Sequence, residues 1–219
     1  QASSGTMSTL PSSDVRPRYF PVPSPVFKLR FVSRKGAPHV LYCGGGGSSK
    51  SGVRNTVVLA SLSSEGGEPK FETKASADTG DKLCVSVAAD ADVDLVAAGM
   101  HGGSVVVYGC TAQDELVVLT EGLEADLPTK EDPKGEECAV ECMALHGKKL
   151  ATGGNDGVLR VWALENQAAV LSALQKEGGA KEDVPKLKVG SAVECKGHRG
   201  PITDVAFDAA GARVSRPLP

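Results

Sequence analysis

The chain has 219 residues, 41% of them hydrophobic, with a net charge of −3. That is enough apolar content for a packed core, and too little positive charge for a general nucleic-acid binder. No apolar run approaches the roughly 18 residues a membrane helix needs, and residues 1–25 are Ser- and Pro-rich without the apolar stretch of a signal peptide.

After a flexible Ser/Pro-rich segment at 1–24, the chain repeats a strand–turn–strand unit. The first unit comprises Val26–Val32, Val40–Cys43 and Thr56–Leu62, with a further strand expected at Lys70–Ala75. The second has Leu83–Ala89, Leu95–Gly99, a turn at Met100–Gly103, and Ser104–Tyr108, with Leu116–Leu119 as its fourth strand. The third has Ala139–Leu145, Leu150–Gly154, a turn at Asn155-Asp156-Gly157, and Val158–Ala163, with Ala192–Lys196 as its fourth. Asp156-Gly157 suits a type I′ hairpin turn, in which both central residues need φ > 0. Between these strands, Glu165–Glu177 is rich in helix formers and is followed by Gly178-Gly179, a stop signal.

Gly44, Gly99 and Gly153 fall at corresponding places, 55 and 54 residues apart. A standard WD repeat spans roughly 40–45 residues, and insertions at 120–137 and 165–190 absorb the difference. Gly153–Trp162 resembles the end of a WD repeat, and Lys196-Gly197-His198 resembles the Gly-His opening of the next. The expected fold is therefore all-β, a WD-repeat β-propeller over residues 25–219. Its blades lie near 25–76, 82–120 and 138–197, and another starts at 198–214. Three and a half blades fall short of a closed ring of about four to eight, so the chain reads as an incomplete propeller, truncated from a seven-bladed one. Thr152, Asp156, Trp162 and His198 read as its architectural residues rather than as a catalytic set.

Six cysteines (Cys43, Cys84, Cys110, Cys138, Cys142, Cys195) form no CxxC pair and have no matching histidine spacing. Small buried thiols account for them better than zinc or disulfides. Alternation puts Cys138, Val140, Cys142 and Ala144 on one strand face. Charge is uneven: Arg16 to Arg54 holds eight Lys or Arg and no acid, whereas Asp114 to Glu137 holds nine acids against Lys130 and Lys134. Solvated surface is the simpler reading of both runs. Phe27 and Phe31 in the basic stretch belong to a buried strand face, and no base-reading element is visible, so no nucleic-acid partner is expected.

The unusual segment is the connection Gly44-Gly45-Gly46-Gly47-Ser48-Ser49-Lys50-Ser51-Gly52-Val53-Arg54-Asn55. A hairpin needs only about two to five residues to turn, so most of this length serves something else. Its match to a phosphate-binding loop fails at Ser49, where glycine is required, and in the β-branched run that follows, where a helix should begin. A flexible linker is disfavoured because both flanks read as paired strands of one sheet.

Pro25–Val32, Leu41-Tyr42-Cys43, Gly44–Gly47 and Gly52-Val53-Arg54-Asn55 together resemble the first blade of one propeller family. These are the endoplasmic-reticulum guanine nucleotide exchange factors for the Sar-type small GTPase, the prolactin regulatory element-binding protein family. The resemblance covers residues 25–62; beyond them the likeness is to WD repeats in general. It implies a protein that releases GDP from the Sar-type GTPase to start COPII coat assembly, with no covalent chemistry of its own. It also implies a location at the cytosolic face of the endoplasmic reticulum, through a membrane segment absent from this chain, which alone would be soluble. In such a protein the loop Gly44–Arg54 contacts the GTPase, a potassium ion held by backbone carbonyls within Gly44 to Asn55 orders the loop, and Asn55 is the residue tied to exchange. Read without the resemblance, Asn55 is a turn residue tolerant of left-handed geometry, and Lys50 and Arg54 are either partner contacts or solvated. The competing functional reading is a WD-repeat interaction scaffold without exchange activity.

Overall fold

Alternating apolar residues joined by tight turns build antiparallel meanders. The computed structural model describes residues 20–46, 51–65 and 68–215, and three such meanders follow one another along it. The first sheet is β1 (Val26–Arg34), β2 (Ala37–Gly44), β3 (Asn55–Glu65) and β4 (Glu68–Gly80). The second is β5 (Cys84–Ala89), β6 (Leu95–Met100), β7 (Ser104–Cys110) and β8 (Leu116–Glu124). The third is β9 (Cys142–His146), β10 (Lys149–Gly153), β11 (Leu159–Ala163) and β12 (Val193–Cys195). A short hairpin of β13 (Ala206–Phe207) and β14 (Val214–Ser215) begins a fourth unit. Each sheet runs in chain order, and its first strand contacts the first strand of the next, β1 to β5 to β9 to β13. This is the blade arrangement of a propeller, here a partial one.

The core lies between the sheets. All six residues of β6 are buried, because its two faces meet two different neighbours. Val96, Ala98 and Met100 join Leu41, Val57 and Leu59 of the first sheet, while Leu95 and Ala97 join Met143 and Leu150 of the third. A third cluster joins Cys142, Ala151 and Leu159 to Ile202 and Val205 of the fourth unit. Helix α1 (Gln167–Leu174) is inserted between β11 and β12 and packs back on the second sheet. Leu174 fills the space over Gly109, where a Cβ would lie 2.6 Å from it.

Two buried arginines fasten the blades. Arg34, at the end of β1, donates to Asp114 at 2.8 Å and to the carbonyls of Val93 and Thr111 in the turns of the second sheet. Arg160 of β11 pairs with Asp156 at 2.7 Å and donates to the carbonyl of Ala125, where the chain leaves the second sheet.

The structure corrects four readings. Phe27 and Phe31 are 50% and 78% exposed; β1 alternates as expected, but Val32 and Arg34 face the second sheet and the phenylalanines face away from it. The turn after β10 is not type I′, since only Gly157 has positive φ (69°). Tertiary partners fix Asp156 instead: its carboxylate accepts the amides of Leu127 and Val158 as well as pairing with Arg160. Cys138 to Ala144 is not one strand face, because β9 starts only at Cys142 and Val140 packs in the second–third cluster while Cys142 packs in the third–fourth. The acid-rich run is only partly solvated: Asp114 pairs with Arg34, and Asp126 is 3% exposed and accepts the amides of Ala139 and Asp156. All six cysteines are free, and all but Cys195 are buried.

Asp90, in the β5–β6 turn, accepts the amide of Leu95, yet burial pushes its carboxyl up to about 6, with Asp94 and Asp92 adding to the rise. An unfolded aspartate titrates near 4. Between roughly pH 4 and 6 the folded state keeps a proton that the unfolded chain releases, so stability falls as pH rises through that window. Asp90→Asn keeps the acceptor without the charge. It should raise stability by about 1–3 kcal/mol at pH 7.5, with the gain vanishing near pH 4, as read from urea midpoints across pH.

Candidate functional site

The glycine-rich connection leaves the first sheet where Gly44 pairs with Thr56. Gly47, Ser48, Ser49 and Lys50 lie outside the described residues; the two arms, Gly44–Gly46 and Ser51–Asn55, are described. They approach each other as bare backbone. A Cβ at Gly44 would strike the Pro25 carbonyl, one at Gly45 the Asn55 side chain, and one at Gly46 the side chains of Ser51 and Val53. Gly45 also has φ 155° and donates its amide to the Pro25 carbonyl at 3.1 Å. Gly52 turns the outgoing arm at φ 70°, and the Val53 amide is held by the Ser51 hydroxyl at 3.2 Å.

Asn55 is not a left-handed turn residue. It is the first residue of β3 and only 3% exposed. Its Nδ2 donates to the Gly80 carbonyl at 2.8 Å, which ties the loop's base to the end of β4. The same residue lines a cleft of about 260 Å³ with Val53, Arg54, Asp78 and Asp81. Arg54 is exposed and makes no ion pair among the described residues. The outgoing arm therefore presents an exposed cation at the loop's base, beside a buried amide and two carboxylates. Among the described residues it is β3, and not an α-helix, that follows the loop, which argues against the phosphate-binding alternative.

The Asn55 amide oxygen lies against Gly45 and the Ser51 hydroxyl against Gly46; both oxygens are neutral and hard. Such donors suit a large monovalent cation, as do carbonyl rings in potassium filters. No cluster of three or more His, Cys, Asp or Glu fit for a metal occurs among the described residues.

The other residues singled out by sequence are architectural. Trp162 donates its indole N–H to Thr152 at 3.1 Å across β10 and β11. His198 sits 2.6 Å from the Gly200 carbonyl, while Asp156 is committed to Arg160, so they form no catalytic pair. Both line a cleft of about 740 Å³ with Asp126, Glu131 and Asp132. The basic run does not form one face, because Arg34 is internal and Lys35 pairs with Asp114 at 3.6 Å. Sequence reasoning missed Arg34, Arg160 and Asp126. Their only signal was a charged residue set within or beside an apolar run, which also describes ordinary surface positions.

Comparison with known proteins bears on the fold. The family model for the WD domain, G-beta repeat, matches residues 131–163, the turn of chain leading into and including β9 to β11. No curated protein matches the sequence. Among solved structures the chain is similar to the structure of U3-55K, at 11% identity and a TM-score of 0.46 over 85% of this chain and 43% of that one. It is similar to the RRP9 WD40 repeats at 10% identity, with the same coverage and TM-score. The chain thus spans less than half the length of these structures. No helix among the described residues is long and apolar enough to cross a membrane.

The close approach at Gly45 is testable. Gly45→Ala should cost about 1–3 kcal/mol and speed amide exchange at Asn55 and Thr56, whereas an unchanged exchange rate would mean that the arms are not locked together.

Proposed function

We propose that this chain carries the GTPase-contacting blade of an exchange factor for a Sar-type small GTPase, acting at the cytosolic face of the endoplasmic reticulum to start COPII coat assembly. One observation carries the reading: a glycine-rich excursion far longer than its hairpin needs, whose two arms are locked over Asn55 while Arg54 stays exposed. The WD-type repeat supports it only in general, as a fold that binds protein partners.

Exchange makes and breaks no covalent bond. A factor that binds the nucleotide-free GTPase more tightly than the GDP-bound form must, by reciprocity of linkage, weaken GDP binding by the same ratio. A thousandfold preference corresponds to about 4 kcal/mol. The two arms, already held against each other, spend little of that on their own ordering. In this reading the segment Gly44–Arg54 presses on the GTPase, with Lys50 and Arg54 offered to an acidic surface. Asn55 acts as the positioning residue beneath it, holding the loop's base to Gly80. Backbone carbonyls within Gly44 to Asn55 would hold a potassium ion, whose charge would offset the entropy of ordering the loop. Membrane attachment would come from a segment outside these 219 residues.

The test is release of a fluorescent GDP analogue from a Sar-type GTPase, with circular dichroism showing that each variant is folded. The wild-type chain should accelerate release, and Asn55→Ala should reduce the acceleration at least tenfold. A folded wild-type chain that leaves release unchanged would replace this reading with that of a WD-repeat scaffold. In the same assay, replacing potassium by N-methyl-D-glucamine at constant ionic strength should lower the acceleration several-fold; equal rates would remove the ion from the account.

A further inference from the structure

A further cleft, of about 380 Å³, opens between the outer strands of the first and second sheets, with Asp78 and Thr79 of β4 on one side and Glu121 of β8 on the other. Its floor is apolar: Met100, Val106 and Tyr108 are 1%, 9% and 3% exposed, and Val118 completes it. Met100, Val106 and Tyr108 belong to the face of β6 and β7 that packs toward the first sheet.

Tyr108 is the informative member. It is almost wholly buried, yet its hydroxyl has no hydrogen-bond partner among the described residues and is not sealed from solvent. A phenol costs free energy when buried unpaired, and this one ends in the cleft it lines. Burial, with Cys84, Glu121 and Asp78 adding to the rise, pushes it up to about 12, so it stays a protonated O–H. The rim is acidic. Asp78, Asp81 and Glu121 form no ion pair among the described residues; Lys82, the cation lining this cleft, turns its ammonium to the Ser104 hydroxyl at 3.4 Å, and Arg54 lies in the adjoining cleft that Asp78 and Asp81 also line.

We propose that this cleft receives a lysine or arginine side chain of a protein partner. The apolar floor of Met100, Val106 and Val118 suits the methylene stem, as it does wherever long cationic side chains lie along apolar surface. The Tyr108 oxygen accepts an N–H from the charged head while its O–H donates to a carboxylate, and Asp78 and Glu121 flank the charge. A neutral polar side chain would leave the carboxylates unmatched, and an anion would be repelled. Asp78 and Asp81 also line the cleft beside Asn55, so a protein lying along the glycine-rich loop would meet both clefts. The inference stands apart from exchange, and its test contains no GTPase.

The probe is an acetylated, amidated Ala-Ala-Arg-Ala-Ala peptide, titrated into the full chain at low salt and followed by the Tyr108 ring and Met100 methyl resonances. Both should shift saturably. The norleucine counterpart should leave them unmoved, and Tyr108→Phe, which keeps the ring in the floor, should weaken binding about tenfold. Asp78→Asn combined with Glu121→Gln should do the same through charge alone. An equal response to the norleucine peptide, binding indifferent to Tyr108→Phe, or no shift at either residue would overturn the proposal.

Discussion

The second and third sheets are each packed between two neighbours, and the rest of the structure follows from that two-faced burial. A sheet with one wet face needs only alternate apolar residues. Here β6 is apolar at every position from Leu95 to Met100, with Gly99 the exception by size. Side chains on one face of β6 serve the first–second core, and those on the other serve the second–third core. Neither core belongs to a single blade, so the blades are stable only as a stack. Where the described stack ends at β1, the consequence is visible in Phe27, Leu29 and Phe31, an exposed apolar row on the face turned away from the second sheet.

Side-by-side packing fixes the distance between blades but not their relative tilt. Directional bonds do that. Arg34 reaches from the end of β1 into two turns of the second sheet, and Arg160 holds the strand exit at Ala125. Both arginines are nearly inaccessible, and both satisfy carbonyls that would otherwise be buried without partners. Val93, a β-branched residue at φ 58°, is held in an unfavourable conformation partly because Arg34 bonds its carbonyl. The two arginines act at opposite ends of the second sheet, Arg34 at the turns holding Val93 and Thr111 and Arg160 at Ala125 beside Gly103.

The glycine-rich loop and the acidic cleft arise from the same geometry. β3 and β4 are longer than the strands beside them, and their paired ends, Asn55 and Gly80, form the base on which the loop stands. The same extension carries Asp78 over the first–second groove, opposite Glu121. A single hairpin thus positions an exposed cation at Arg54, a buried amide at Asn55 and a carboxylate at Asp78 within one region of surface. Partner recognition across such a region draws on shape at the loop and charge in the groove.

The strand order, the four-stranded units and the helix were legible from sequence because period-two alternation and turn residues are local properties. Glu165–Glu177 contained α1, and the spacing of Gly44, Gly99 and Gly153 marked equivalent strand ends. What stayed hidden depends on partners distant in sequence. Alternation gave β1 two faces but could not say which one met the second sheet, since that is decided by where Arg34 finds its carbonyls, 59 and 77 residues away. Asp156 had the local character of a hairpin residue, and bonds to Leu127 and Asp126, 29 and 30 residues away, helped to override it. Asn55 had the composition of a turn, and pairing with β4 made it the start of a strand. Local sequence therefore determined the elements and the presence of an oversized loop. Tertiary structure alone decided which faces are buried, which charges are internal and where the clefts open, because those depend on contacts that form only once the blades are stacked.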